Sequence, residues 1–166
     1  SQLIDDFEDV SDWSAHPADG VQLDLGSAPG VHGRALAMKF RFTGGGYAIA
    51  RRQVDLDLPD NYAFSFRIRG DSPVNTLEFK LIDPTNENVW WCVHRDFTFP
   101  KTWQTVVIKK RHVQFAWGPA NGGDLEHVAA VEIVVTASQG GHGTVWIDDF
   151  ELRPLPAADS TPAAPV

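Results

Sequence analysis

Cysteine occurs once in the 166 residues, at Cys92, and methionine once. A lone thiol excludes an internal disulfide and any zinc site built on several cysteines, and leaves the redox compartment open. Long apolar runs are missing as well: none reaches the roughly eighteen residues a membrane helix needs. No basic-then-apolar leader opens the sequence, so any secretion signal is expected outside it. Positive charge is scarce, 14 Lys and Arg against 22 Asp and Glu giving 14 − 22 = −8, and the one basic run is Lys109-Lys110-Arg111. A chain of that sign repels phosphate backbones and anionic lipid, which argues against nucleic acid and membranes as partners. Helical periodicity is nearly absent too.

What remains is 43% apolar and 11% aromatic sequence, enough for one buried core at this length. Apolar residues recur at every second position, and Gly, Pro, Asn or Asp interrupts them at short intervals, the rhythm of an all-β, two-sheet antiparallel sandwich. Strands are expected at about 3–8, 21–25, 35–42, 47–54, 62–69, 76–82, 89–95, 104–108, 113–115, 128–136 and 144–152. From residue 154 the sequence turns to Pro and Ala without apolar period, so a domain over 1–153 and a semi-extended linker over 154–166 are expected, as for a module of a longer chain.

The phase of the alternation says what each face meets. Phe64, Phe66 and Ile68 alternate with Ser65, Arg67 and Arg69, and Leu77, Phe79 and Leu81 with Glu78, Lys80 and Ile82. Sending Val89, Trp91 and Val93 inward would put Trp90, Cys92 and His94 on one open face with Arg67, Glu78 and Lys80; the opposite phase would bury Trp90 and turn Trp91 outward. An aromatic ring among fixed polar groups suits a sugar, whose pyranose ring has an apolar C–H face and a rim of hydroxyls. Trp90, Tyr47, Phe115 and Trp117 are candidate platforms, with Trp117 alternatively a plug at the barrel end. Arg67, Glu78, Lys80, His94 and Gln114 are candidate hydrogen-bonding groups. Trp13, Trp103 and Trp146 read as packing residues, and Arg51, Arg52 and Arg69 as solvated edges.

The two ends are acidic: Ile4-Asp5-Asp6-Phe7-Glu8 and Trp146-Ile147-Asp148-Asp149-Phe150-Glu151. First and last strands of a sandwich often run side by side, and carboxylates gathered there either face solvent or share a hard cation such as Ca²⁺. Catalytic signatures are missing. Only Glu78 among the carboxyls is expected on the polar face, where a glycosidase needs a pair. No nucleophile elbow, zinc-protease motif or phosphate loop occurs, and the six histidines lack metal-ligand spacing.

The stretches Ile4 to Trp13, "GGYAIARRQ…YAFSFRIRG", "WQTVVIKKRHVQFAWGP" and "GTVWIDDFEL" resemble the galactose-binding-like jelly rolls of carbohydrate-active enzymes, family 11 carbohydrate-binding modules most of all. The resemblance implies a β-jelly roll, a structural Ca²⁺ remote from the ligand, and a concave sheet cleft that binds a β-glucan or related polysaccharide. By position, Tyr47 and Phe115 fall at cleft tyrosines, and His112 and Gln114 at a sugar-binding arginine and aspartate. Val135 and Ala129 replace a further cleft tyrosine and aspartate. Asp6, Glu8 and Asp149 match the calcium motif. The expectation is thus a monomeric, non-catalytic module, secreted or at a bacterial cell surface, that targets a covalently attached catalytic domain to polysaccharide. The alternatives are a degenerate jelly roll packing structurally against its parent glycoside hydrolase, and a small hydrolase or lyase.

Overall fold

The protein is described by a computed structural model over residues 1–157. Twelve strands follow one another: β1 (Gln2–Asp5), β2 (Trp13–Pro17), β3 (Gln22–Pro29), β4 (Arg34–Arg41), β5 (Tyr47–Asp57), β6 (Tyr62–Asp71), β7 (Asn75–Ile82), β8 (Val89–Phe97), β9 (Gln104–Lys109), β10 (Gln114–Trp117), β11 (His127–Thr136) and β12 (His142–Pro154), with a 3-10 turn at Lys110–His112. They form two antiparallel sheets. The first runs β3-β4-β12-β6-β9, with β1 also on β12; the second runs β10-β8-β7-β11-β5-β2. The all-β two-sheet expectation holds, and so does the pairing of the chain ends, where Leu3 lies opposite Glu151 and Asp5 opposite Phe150.

Alternation builds the core. Phe64, Phe66 and Ile68 from the first sheet meet Leu77, Phe79 and Leu81 from the second, all buried. Phe79 packs 5.2 Å from Phe64 and 5.8 Å from Phe150 between ring centroids. Truncating such a ring costs about 3–5 kcal/mol, because the close-packed interior cannot collapse into the space.

Three features differ from the sequence reading. Strand β2 was not expected: only Trp13 of its five residues is buried, so it carries almost no apolar alternation, and it is tolerated with Pro17 because it is an edge strand. Strand β12 runs through Pro154, and the chain stays docked just beyond, with Leu155 donating to the Asn61 carbonyl at 3.0 Å and Asn61 Nδ2 to the Pro156 carbonyl at 2.7 Å. The fold therefore takes in the first residues expected of the linker, and 158–166 lie outside the described residues.

The third difference is the phase of β8. Trp90 and Cys92 pair with Leu81 and Phe79 and enter the core, while Trp91 and Val93 pair with Lys80 and Glu78 and turn outward. The segment Val89-Trp90-Trp91-Cys92-Val93 is apolar in both phases, so period two cannot choose. The choice falls to packing: the Trp90 ring meets Phe115 edge-on at 5.2 Å and its N–H donates to the Gly123 carbonyl at 3.0 Å. A one-residue change of phase moves every side chain to the other face.

Candidate ligand-binding face

The outer face of the second sheet is written by its registers. Gln114 lies opposite Trp91, Trp91 opposite Lys80, Lys80 opposite Glu132, Glu132 opposite Arg51, and Arg51 opposite Ser14. This is one polar and aromatic row across all six strands, roughly 24 Å long at about 4.8 Å per strand. Arg51 Nη1 binds Glu132 Oε2 at 2.9 Å, and Lys80 Nζ lies 3.7 Å from Glu78 and 4.0 Å from Glu132. Thr136 Oγ1 donates to Glu78 Oε2 at 3.1 Å. Glu78 and Lys80 are buried although they point away from the core. Charges that far from water are tolerable only when paired, and here two cations and two anions compensate one another.

Aromatic rings border the row. Trp91 and Trp117 meet edge-on at 5.3 Å, and Lys80 Nζ sits 5.1 Å from the Trp117 ring centroid, over its electron-rich face. Trp117 is 47% exposed. Its outward placement follows from a bulge between Phe115 and Trp117 and from Gly118 at φ 131°, where a Cβ would run into Asn88. Asn88 is in turn fixed by Asp83 and accepts from Ala120 N at 2.8 Å. From the same turn Asn86 reaches Arg51 Nη2 at 2.6 Å. At the far corner Tyr47, 43% exposed, opens β5 opposite Thr136.

Tyr47, Glu78, Lys80, Gln114 and Trp117 therefore share the face expected of them. Four other residues do not. Trp90 is core, and Phe115 packs inward against it. Arg67 sits on β6, opposite Asp148 and Thr105, and so belongs to the other sheet. Faces of different sheets cannot be matched from alternation alone. His94 lies opposite core-facing Leu77, on the inner phase with Cys92. With His112, Gln114 and Trp91 it lines a cavity of about 510 Å³ at the β8 edge beyond the end of β10. Burial first, then Arg111, Lys109 and His94, depress the His112 pKa, and burial raises that of the Cys92 thiol. Val135, placed by resemblance at a cleft position, is core, and Val134, itself fully buried, takes the outer phase opposite Glu78 instead. Sequence reading holds Trp91 only as the alternative to Trp90, takes Arg51 for a solvated edge and gives Glu132 no place on the face; only the β5–β11–β7 register brings the last two beside Lys80.

The acidic ends take a different form from the one expected. Among the described residues no three His, Cys, Asp or Glu side chains converge as a metal cluster. Asp6 accepts from Glu8 N, and Asp149 faces His32 at 3.4 Å. The carboxylates that do converge, on the turn at 30–34, are Glu8, accepting from Arg34 N at 2.7 Å, and Asp148, accepting from Val31 N at 2.9 Å. They occupy the space that Cβ atoms on Gly33 and Gly30 would fill. Burial, opposed by the N–H donors of Val31 and Asp149, pushes the Asp148 pKa up. Asp5 is spent on Trp13 Nε1 at 2.8 Å and on Arg52 at 3.1 Å.

No protein-family model matches the sequence, and no curated protein does. Solved structures do match in fold. The family 11 carbohydrate-binding module of the cellulosomal cellulase Lic26A-Cel5E of Clostridium thermocellum superposes with a TM-score of 0.75 over 93% of this chain and 94% of its own, at 19% identity. A family 11 module from the same organism in complex with a β-1,3-1,4-mixed-linked tetrasaccharide matches equally well, over 90% and 93%. An exo-β-agarase matches with a TM-score of 0.65 at 15% identity, 96% of this chain covering 26% of that enzyme. The chain has the β-sandwich fold of the family 11 modules.

Proposed function

We propose that this protein is a non-catalytic carbohydrate-binding module that holds a β-glycan across the outer face of its second sheet. The observation that carries the reading is the exposed Trp117, set edge-on to Trp91 beside the fixed row Gln114, Lys80, Glu132 and Arg51. The rings supply platforms for pyranose C–H faces, and the pre-paired charges supply immobile donors and acceptors that need no reordering on binding. Two carboxylates, Glu78 and Glu132, stand on this face, but Lys80, Arg51 and Thr136 already claim them. That favours holding a sugar over protonating one. The likeness to a module solved with a mixed-linked tetrasaccharide favours a β-glucan.

Affinity electrophoresis in mixed-linkage β-glucan, xylan and mannan tests this. Retardation in one of them, lost in folded Trp117→Ala, is the expected result; free migration in all three refutes it. Because the structural β-glycans of cell walls lie outside the membrane, a module that holds them acts there, in this proposal as a monomer tethered to a catalytic domain. A second reading rests on the row being filled by its own ion pairs. On that reading the face no longer binds sugar and the domain packs structurally against its parent enzyme; deleting the domain would then lower the melting temperature of that neighbour.

Calcium belongs to the same proposal. Glu8 and Asp148, both set against the 30–34 turn, would supply carboxylate oxygens of the kind Ca²⁺ takes, with Asp6 and Asp149 beside them in sequence as further ligands. Bound there, the ion would add stability to the folded state by mass action. Chelator is expected to lower the melting temperature, and Glu8→Gln to abolish that response; a chelator-insensitive melt refutes the ion.

A further inference from the structure

The outer face of the first sheet carries a second aromatic row. Trp146 on β12 lies opposite Arg69 on β6 and Ala37 on β4, and Ala37 opposite Gly26 on β3. Trp103, which precedes the Gln104–Ile68 pair, comes level with Arg69 on the other side. The guanidinium stacks 3.9 Å from the Trp146 centroid and 5.5 Å from that of Trp103. On the far flank of Trp146 the floor is open: Ala37 is small, and a Cβ on Gly26 meets nothing within 4 Å. Two residues along the strands, about 7 Å away, Asp24, Lys39, Thr144 and Asp71 face one another across four strands. Together with Arg41 and His142 they line a cavity of about 460 Å³.

Three properties select the occupant. An indole bordered by glycine and alanine is a flat apolar platform matched to a pyranose ring. The polar cavity beside it falls where ring hydroxyls would lie. Arg69 touches two rings and, among the described residues, no hydrogen-bond acceptor, so its planar fork of donors is held rigid and unspent, the geometry that grips a carboxylate with two bonds. Arg67 lies on the same side of the same strand and Lys39 is exposed, while the charge of Asp71 is claimed by Lys101 at 3.0 Å. Arg41 lines the cavity too, Asp24 faces Lys39, and Asp148, opposite Arg67, is held by Val31 N, so on this face cations outnumber carboxylates.

We infer that this face is a second, separate glycan site, for an acidic saccharide of which one ring rests on the Ala37 and Gly26 side of Trp146 while the carboxylate of a neighbouring sugar unit meets Arg69 on the other side of the indole. A sulfate ester presents a similar pair of oxygens, so the test carries both. The protein is titrated calorimetrically with oligogalacturonate, with a sulfated galactan oligosaccharide and with neutral mixed-linkage β-glucan oligosaccharide. Binding of one anionic class is expected, the class that binds identifying the acid group. Arg69→Lys, which keeps the charge and loses the fork, is expected to weaken it about tenfold or more. Gly26→Gln, whose Cβ enters open space and whose side chain lies over the platform, should do the same with an unchanged melt. Trp117→Ala should leave it intact. Absence of binding to both anionic oligosaccharides, survival of binding in both variants, or its loss in Trp117→Ala would overturn the inference. Because neutral β-glucan reports on the other sheet, the two sites fail or succeed separately.

Discussion

The outward faces of the two sheets are made by the same alternation and solve the same problem in opposite ways. On the second sheet, Arg51, Glu132, Lys80 and Glu78 neutralise one another across adjacent strands. On the first, Arg69 meets no carboxylate among the described residues and lies against Trp146 and Trp103 instead. Pairing across strands makes a row whose members depend on each other, since removing one leaves another charged, desolvated and alone. Stacking makes a row whose members are nearly independent, and whose donors stay available. A rigid, self-satisfied face suits a neutral polyhydroxylated ligand, and an unspent cation suits an anionic one.

The largest difference between the faces should appear in stability. Glu132→Ala takes from Arg51 its carboxylate partner and from Lys80 one of its two, and is expected to cost about 3 kcal/mol in denaturant unfolding. Arg69→Ala gives up stacking alone and should cost about 1 kcal/mol or less; equal losses would erase the distinction. Next comes Gly118→Ala, which forces a Cβ against Asn88 at a φ unsuited to L residues. It should reduce β-glucan retardation nearly as much as Trp117→Ala does, by displacing the ring rather than deleting it, and full binding in this variant would show that the bulge does not position Trp117.

The smallest effect lies at the far end of the second sheet, where His127 bridges Asp57 at 2.7 Å and Asp55 at 2.7 Å. The hydrogen bond to Asp57 heads the causes that raise its pKa. A raised folded pKa favours folding most below the unfolded value of about 6.5 and loses that contribution as pH climbs through the higher folded value. Between pH 6 and 8 the wild type should lose slightly more stability than His127→Gln. Parallel curves would remove this pair from the account.

Much of this was legible in the sequence. Phe64, Phe66, Phe79 and Leu81 announce their faces because their neighbours are polar, and the acidic ends announce adjacent terminal strands. The β8 phase was not legible, because Trp90 and Trp91 are equally apolar and only the room beside Phe115 separates them. Nor was the charged row, since Glu132 and Arg51 become neighbours of Lys80 through pairings between strands distant in sequence. Arg67 was assigned to the wrong sheet for a related reason: alternation orders residues within a strand and says nothing about which strands share a sheet.

The central claim is that the Trp91 and Trp117 face holds a β-glycan. Calorimetric titration with mixed-linkage β-glucan oligosaccharides of increasing length, on wild type and on folded Trp117→Ala, tests it most directly. Affinity should rise with length in the wild type, and the binding heat should be lost in the variant. Heat that is identical in both proteins would contradict it.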